Sequence, residues 1–147
     1  MKVAEEIIKE KGTVMESVSP EATLAEALKK MVTKDIGSIV VMEEGTILGI
    51  WSERELMRSV AFPGFDIHKE RVRDHMKKKV ETIAHDEPVY RISDKLLGLK
   101  SRYLFVQKED KIIGLLSSGD VIRACLIEKT EQLKSLGLEY YENWKHD

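Results

Sequence analysis

The sequence predicts a mixed α/β (α+β) fold that consists of two β-α-β-β-α repeats. The first reason is a motif of glycine, serine and an acid, found at residues 49–55 and again at residues 114–120. Its offset is constant, since 114 − 49, 117 − 52 and 120 − 55 all give 65, and a constant offset identifies a duplicated unit. The second reason is that strand-like and helix-like apolar patterns surround both motifs in the same order.

The composition is ordinary for a globular protein: 42% of the 147 residues are apolar, 34% are charged, and the formal net charge is −2. We expect no nucleic-acid partner, because such proteins usually carry a strongly basic surface. We expect no membrane partner, because no apolar run approaches the ~18 residues that span a bilayer, and Glu5 and Glu6 stand where a signal peptide would be apolar. The single cysteine, Cys125, fits a reducing compartment. We therefore expect a cytoplasmic protein.

Residues 1–65 are predicted to form the first repeat. Its elements are, in order, a lead-in helix at 3–11, a strand at 13–18, a helix from Thr23, strands at 38–42 and 46–51, and a helix from Ser52. The helix from Thr23 is predicted by apolar residues at i, i+3, i+4, i+7 and i+8, which are Leu24, Ala27, Leu28, Met31 and Val32. The two strands around Glu-Glu-Gly predict a hairpin, and Val60 should face the core from the last helix.

Residues 66–130 are predicted to form the second repeat. Its elements are a strand at 80–83, a helix that starts at 86–88, strands at 103–106 and 111–116, and a helix from Ser117. The apolar face of its first helix comprises Val89, Ile92, Leu96 and Leu97. In each repeat the crossover helix should make the first two strands parallel, and the tight turn should make the third strand antiparallel.

Residues 131–147 are predicted to form an extra C-terminal helix. Four residues fall at helical spacing with an interruption at Gly137: Leu133, Leu136, Tyr140 and Trp144. A unit of roughly 60 residues buries little core by itself. We therefore expect the two repeats to pack together with pseudo-two-fold symmetry.

These residues resemble a known family, the tandem cystathionine-β-synthase-type (CBS) domain pair, or Bateman module. Its pattern is an apolar strand followed by Gly-apolar-x-Ser/Thr-x-x-Asp at the start of a helix, twice, and residues 49–55 and 114–120 match it. The resemblance covers residues 3–128. It implies a stand-alone regulatory module that binds an adenosine-containing ligand, such as AMP, ADP or ATP, in the cleft between the repeats and signals by a conformational change. It implies no catalytic residue, metal or further cofactor.

The resemblance also implies roles for residues of the second repeat. Asp120 would accept hydrogen bonds from both ribose hydroxyls, Ser117 would contact the phosphate end, and Arg102 would be a phosphate-binding base. The residues that would flank the adenine are Thr82, Ile83 and Ala84. An ionised carboxylate only accepts hydrogen bonds and therefore suits a diol, which donates two. A serine at a helix start lies beside unpaired N–H groups, where an anion is favoured.

The first repeat departs from this pattern. Glu55 replaces the aspartate, and Gly37 stands where Arg102 stands in the second repeat, since 102 − 37 = 65. Ser52 and Glu55 therefore form a weaker second site, at which Arg54 could reach a phosphate. Ser-x-x-Glu is also a capping-box sequence, and capping alone explains this pair as well as ligand binding does. The Ser117 motif can be interpreted as a cap too.

Two functions from different classes remain open at this point. The first is the regulatory ligand-binding module; the alternative is a dimerisation or protein-interaction module with vestigial ligand sites. The resemblance predicts a homodimer under either hypothesis, and the protein target is unknown. We do not expect an enzyme, because the spacing of Ser, His, Cys and acidic residues indicates neither a catalytic arrangement nor a metal site.

Overall fold

The computed structural model describes residues 1–137. Its elements, in chain order, are α1 (Ala4–Lys11), β1 (Ser17–Val18), α2 (Leu24–Lys34), β2 (Ser38–Glu43), β3 (Thr46–Ser52), α3 (Glu53–Val60), a 3-10 turn (Val72–Asp74), β4 (Thr82–Ala84), α4 (Val89–Leu99), β5 (Tyr103–Lys108), β6 (Lys111–Ser117) and α5 (Ser118–Ser135). None of the described helices is both long and apolar enough to cross a bilayer.

The chain folds into two compact units. The central unit comprises residues 14–80, and the terminal unit comprises residues 1–13 together with the described chain from residue 81 to residue 137. Each unit contains one three-stranded sheet, in the order β1-β2-β3 and β4-β5-β6. In both sheets the first pair of strands is parallel and the second is antiparallel. The predicted fold class and strand directions are therefore confirmed.

Each lead-in segment packs in the unit of the other repeat. An ideal Cβ placed on Gly114 of β6 would stand 2.5 Å from Cδ1 of Ile8 in α1, and one placed on Gly49 of β3 would stand 2.5 Å from the carbonyl oxygen of Lys77. The two contacts are equivalent in the repeats. The glycines are 65 residues apart (114 − 49) and the residues that contact them are 69 residues apart (77 − 8), because the connector before the second repeat is four residues longer. Because each lead-in segment packs in this way, the boundaries of the compact units fall after residues 13 and 80. The predicted boundary at residue 65 separates the two sequence repeats, and it remains a prediction.

The helices bury a narrower stripe than the apolar pattern predicts. In α2, for example, Leu24, Ala27 and Met31 are buried, but Val32 is 73% exposed. Val60 of α3 and Leu97 of α4, both predicted to face the core, are 61% and 79% exposed. The reason is that each helix covers its sheet with one side only, which leaves the flank of the stripe on the surface.

The ends of two predicted elements also differ from the structure. Only Ser17 and Val18 of the predicted strand at 13–18 pair with β2, so this strand is shorter than predicted. The helix from Ser117 continues through residue 131 and ends at Ser135, which makes the start of the predicted C-terminal helix an extension of α5. Tyr140 and Trp144 lie outside the described residues.

Candidate functional site

The start of α5 holds Ser117 and Asp120 in a reciprocal pair. The N–H of Asp120 donates to Oγ of Ser117 at 3.1 Å, and the N–H of Ser117 donates to Oδ2 of Asp120 at 2.8 Å. Capping therefore occurs, as one interpretation of the motif predicted. The pair still leaves binding capacity, because the hydrogen bonds that the described residues donate to Asp120 go to Oδ2 and none goes to Oδ1.

A third residue of this site, Lys11, was missed by the sequence analysis. Its Nζ donates to Oδ2 of Asp120 at 2.6 Å and to the carbonyl oxygen of Leu115 at 2.8 Å. Lys11 is the last residue of α1 and reaches β6 because Ile8 packs against Gly114. The separation of 109 residues explains the omission, since a lysine at the end of an amphipathic helix is ordinarily a solvated residue.

The carboxylate of Asp120 is held in its ionised form. Burial by itself raises the pKa of this carboxyl, but the hydrogen bond and positive charge of Lys11, together with the backbone N–H and the hydroxyl of Ser117, outweigh burial and bring the pKa below its usual value. The side chains of Asp120 and Lys11 are 25% and 35% exposed. The charge is thus accessible from solvent and available as an acceptor at neutral pH.

Two other predicted residues lie at the same end of the sheet. The carbonyl oxygen of Arg102 accepts a hydrogen bond from the N–H of Ser118 at 2.8 Å, so Arg102 is adjacent to the start of α5. Its side chain is exposed and has no hydrogen-bond or ion-pair partner among the described residues. Thr82 is two strands from Leu115, because both residues pair with Phe105. Thr82, Arg102 and Ser117 therefore lie at the same end of the sheet, with Thr82 and Ser117 on its two outer strands.

The three residues expected to flank an adenine differ in their accessibility. Thr82 and Ala84 are exposed, whereas the side chain of Ile83 between them is buried in the core of the terminal unit. This alternation is what a half-buried strand produces. Ala84 pairs with Gln107 and lies further from the start of α5 than Thr82 does.

A cavity of 160 Å³ adjoins the carboxylate, and its lining comprises Ile7, Glu10, Lys11, Asp120, Arg123, Ala124 and Ile127. It is smaller than the roughly 300–1,000 Å³ of typical small-molecule sites, so it accommodates only part of a nucleotide. A larger cavity of 410 Å³ lies between α4 and α5, lined by Ser93, Leu96, Leu97, Lys100, Ser101, Ser118, Val121 and Ile122.

In the equivalent site of the first repeat, the serine and the acid are hydrogen-bonded to each other. Oε2 of Glu55 accepts from both the N–H and the hydroxyl of Ser52, and Ser52 is buried. The extra methylene of glutamate brings its carboxylate to the hydroxyl of Ser52. Arg54 is half-buried and pairs with no acid in the described part of the chain. Ser52 therefore has no proton left for a ligand.

The central unit also contains a Ser–His–Glu chain that the sequence spacing does not indicate. Nδ1 of His75 lies 3.0 Å from Oγ of Ser59, and Nε2 of His75 lies 3.0 Å from Oε1 of Glu70. Ser59 is buried and its hydroxyl donates to the carbonyl oxygen of Glu55 at 2.9 Å. A nucleophilic serine must pass its proton to the histidine, whereas this proton is already engaged. The chain of contacts is therefore structural and ties α3 to the lead-in segment of the second repeat.

Comparison with known proteins identifies the family. A model of the CBS domain matches the chain twice, over residues 6–61 and over residues 72–127. The chain is also similar to the CBS domain-containing protein CBSX3, mitochondrial, of Arabidopsis thaliana, with 30% identity over 119 residues. That match covers 78% of this chain and 58% of the relative, so the chain spans less than two thirds of the relative's length.

Solved structures agree with this assignment. The CBS-domain containing protein ATU1752 of Agrobacterium tumefaciens has a TM-score of 0.79 and 27% identity, covering 84% of this chain and 99% of that one. Two more distant structures are complexes and show the shared fold. CBSX2 in complex with AMP has a TM-score of 0.69 and 22% identity, covering 88% of this chain and 99% of that one. The CBS domain pair of MJ0100 in complex with 5′-methylthioadenosine and S-adenosyl-L-methionine has a TM-score of 0.69 and 18% identity, covering 87% and 98%.

Both matched ranges contain one copy of the repeated motif and one β-α-β-β-α set of elements. This chain therefore belongs to the CBS domain family and carries two copies of the domain.

Proposed function

We propose that this chain is a regulatory module that binds an adenosine-containing ligand, of the AMP, ADP or ATP kind, at the Ser117–Asp120 site of the terminal unit and signals by a conformational change. One observation carries the proposal. Asp120 keeps Oδ1 free of hydrogen bonds among the described residues and its side chain is 25% exposed, whereas Ser52 of the first repeat is buried and donates its hydroxyl proton to Glu55. A ribose diol requires such an accessible carboxylate oxygen.

The surrounding residues support specific roles. Oδ1 of Asp120 accepts from the ribose hydroxyls, and Ser117 with the exposed side chain of Arg102 contacts the phosphate. Thr82 lies at the same end of the sheet and flanks the base. The complexes of CBSX2 and MJ0100 with adenosyl compounds support this ligand class. The chain performs no chemistry on the ligand in this proposal, and its free cysteine, Cys125, is compatible with the cytoplasm.

A thermal-shift panel of AMP, ADP, ATP and adenosine tests the proposal. A ligand at 100 times its Kd adds about 2.7 kcal/mol to the native state, which raises Tm by several degrees, on the order of 5 °C. We expect at least one adenosyl compound to raise the Tm of the wild type and of Glu55→Ala, the matched variant in the first repeat, but not that of Asp120→Ala. If none of the compounds changed the Tm of any of the three proteins, the result would contradict ligand binding.

The alternative, a dimerisation or interaction module, is favoured by a different observation. Val32, Val60 and Leu97 were predicted to be buried but are exposed in the single chain. Leu97 also lines the larger cavity between α4 and α5. Each of these residues continues the apolar face of its helix onto the surface, where a second molecule would cover it. We propose that the chain forms a homodimer through these helices, whether or not ligand is bound.

A further inference from the structure

Lys11 is bonded to one oxygen of the carboxylate whose other oxygen, Oδ1, is proposed to accept from the ribose. Its ammonium group donates to Oδ2 of Asp120 at 2.6 Å and to the carbonyl oxygen of Leu115 at 2.8 Å. Lys11 and Asp120 both belong to the terminal unit, and both line the 160 Å³ cavity. Asp120 therefore has a cationic partner before any ligand arrives.

A ribose that donates to Oδ1 of Asp120 shares the carboxylate with Lys11, which stays beside the ligand on Oδ2. The carboxylate then divides its negative charge between the ribose hydroxyls and the ammonium group. That ammonium group is accessible from solvent, because the side chain of Lys11 is 35% exposed. Nearby Glu10 lines the same cavity, and its carboxylate accepts from Lys2 at 2.9 Å. A phosphate group of the ligand would supply a further anion for the ammonium group of Lys11.

We propose that Lys11 makes the site selective for adenosyl ligands that carry a phosphate, over neutral adenosine and over cationic adenosyl compounds. This inference rests on the proposed function of Asp120. When the ribose engages the carboxylate, the ammonium of Lys11 turns to the phosphate and forms a charge-assisted hydrogen bond. Arg123, which lines the same cavity, is a second cation without an ion-pair partner among the described residues and adds to the positive potential.

The charge of the ligand then determines the order of affinities. AMP supplies the anion and compensates Lys11, so it should bind most tightly. Adenosine hydrogen-bonds to the carboxylate of Asp120 but carries no negative charge that would compensate the ammonium group of Lys11. S-adenosylmethionine brings a positive sulfonium close to Lys11 and Arg123, and like charges repel, so it should bind most weakly.

Isothermal titration of AMP and adenosine tests the role of Lys11. We expect the wild type to bind AMP at least about tenfold more tightly than adenosine, the size of one charge-assisted hydrogen bond. In Lys11→Met the ratio should fall toward one, because AMP loses a partner and adenosine gains an unpaired carboxylate. Lys11→Arg keeps the cation and should keep the preference. Lys9→Met is the control, since Lys9 lies on the same helix but pairs with Glu5 at 3.6 Å.

The outcomes separate the two proposals. If Asp120→Ala loses both ligands while Lys11→Met keeps the wild-type ratio, the site stands and the role of Lys11 is overturned. If adenosine binds the wild type as tightly as AMP does, that role is overturned as well. If neither ligand binds the wild type or Lys11→Met, the proposed function fails and the inference fails with it. Circular dichroism of each variant ensures that a lost signal reflects binding and not unfolding.

Discussion

The side chain of Ile8 lies where a Cβ of Gly114 would stand, with Cδ1 2.5 Å from that position. This close approach brings α1 against β6 and places Lys11, three residues after Ile8, beside Leu115 and Asp120. The glycine of the motif is therefore a packing residue. It sets the distance between the lead-in helix and the candidate site.

We expect Gly114→Ala to destabilise the protein by about 1–3 kcal/mol, the usual cost of overpacking a core. The added methyl group would displace Ile8, which is fully buried, and would shift Lys11 away from Asp120. Urea denaturation measures the loss. Gly119→Ala is the matched control, because a Cβ there would meet only Oγ of Ser117, at 3.6 Å. Equal stability of the two variants would contradict the packing role of Gly114.

Acid should weaken the attachment of α1 to its sheet. The hydrogen bond from Lys108 to Glu5, at 2.8 Å, is the main reason that the pKa of Glu5 falls from 4.5 to about 2; burial opposes the shift, and His85 adds to it. Because the native pKa is the lower one, the stabilisation is complete above about pH 4.5 and is lost as the pH falls toward about 2.

Glu5→Gln tests this pH dependence. We expect the variant to be less stable than the wild type at pH 7, and the difference to shrink between pH 4.5 and pH 2. Urea denaturation at several pH values measures the difference, with Glu6→Gln as the control, because Glu6 is exposed on the same helix. A difference that is constant across the whole range would show that the charge of Glu5 is not responsible.

The hydrogen-bonded chain of Ser59, His75 and Glu70 should contribute to stability. Ser59→Ala leaves Nδ1 of the half-buried His75 without its partner, and we expect a loss of about 1 kcal/mol, the usual net contribution of one hydrogen bond. Chemical denaturation provides the value. Ser135→Ala, which removes an exposed hydroxyl bonded to Gln132, should cost less. An unchanged free energy of unfolding in Ser59→Ala would contradict the structural role of this hydrogen-bonded chain.

Replacement of Leu97 by aspartate should weaken the proposed homodimer. A charge on a surface that a second copy covers must be desolvated, so we expect the dissociation constant to rise by at least about tenfold. Sedimentation equilibrium measures the change. Val14→Asp serves as the control, because Val14 is 80% exposed in the connection between α1 and β1. A monomeric wild type at high micromolar concentration would contradict the dimer itself.

The fold was predictable because its signals are local and occur twice. The 65-residue offset identified the repeat, and the turn at Glu44–Gly45 with its copy at Glu109–Asp110 identified the two hairpins. All four residues have a positive φ. The sequence does not predict which residues at the sides of each apolar helix face are buried and which are exposed. The apolar spacing of Val32 and Leu97 is the same whether a sheet or a second molecule covers them.

The candidate site was predictable only in part. The Ser117–Asp120 pair follows from the motif, but Lys11 does not, because its position depends on the packing of α1 against β6. The sequence predicts that the site of the first repeat is the weaker one, since Glu55 is one methylene longer than aspartate. Its consequence, the capture of the hydroxyl of Ser52, depends on side-chain conformation that the sequence does not specify.

The most direct test of the account is the titration of AMP into Asp120→Ala and into Glu55→Ala, beside the wild type. Each variant loses the acid of a capping box, worth about 1 kcal/mol, and Asp120→Ala also loses the ion pair with Lys11, so thermal denaturation of both variants accompanies the titration. The account predicts that the wild type and Glu55→Ala bind AMP alike, whereas Asp120→Ala binds at least about tenfold more weakly. Unchanged affinity in Asp120→Ala, or an equal loss in both variants, would contradict the assignment of the ligand site to the start of α5.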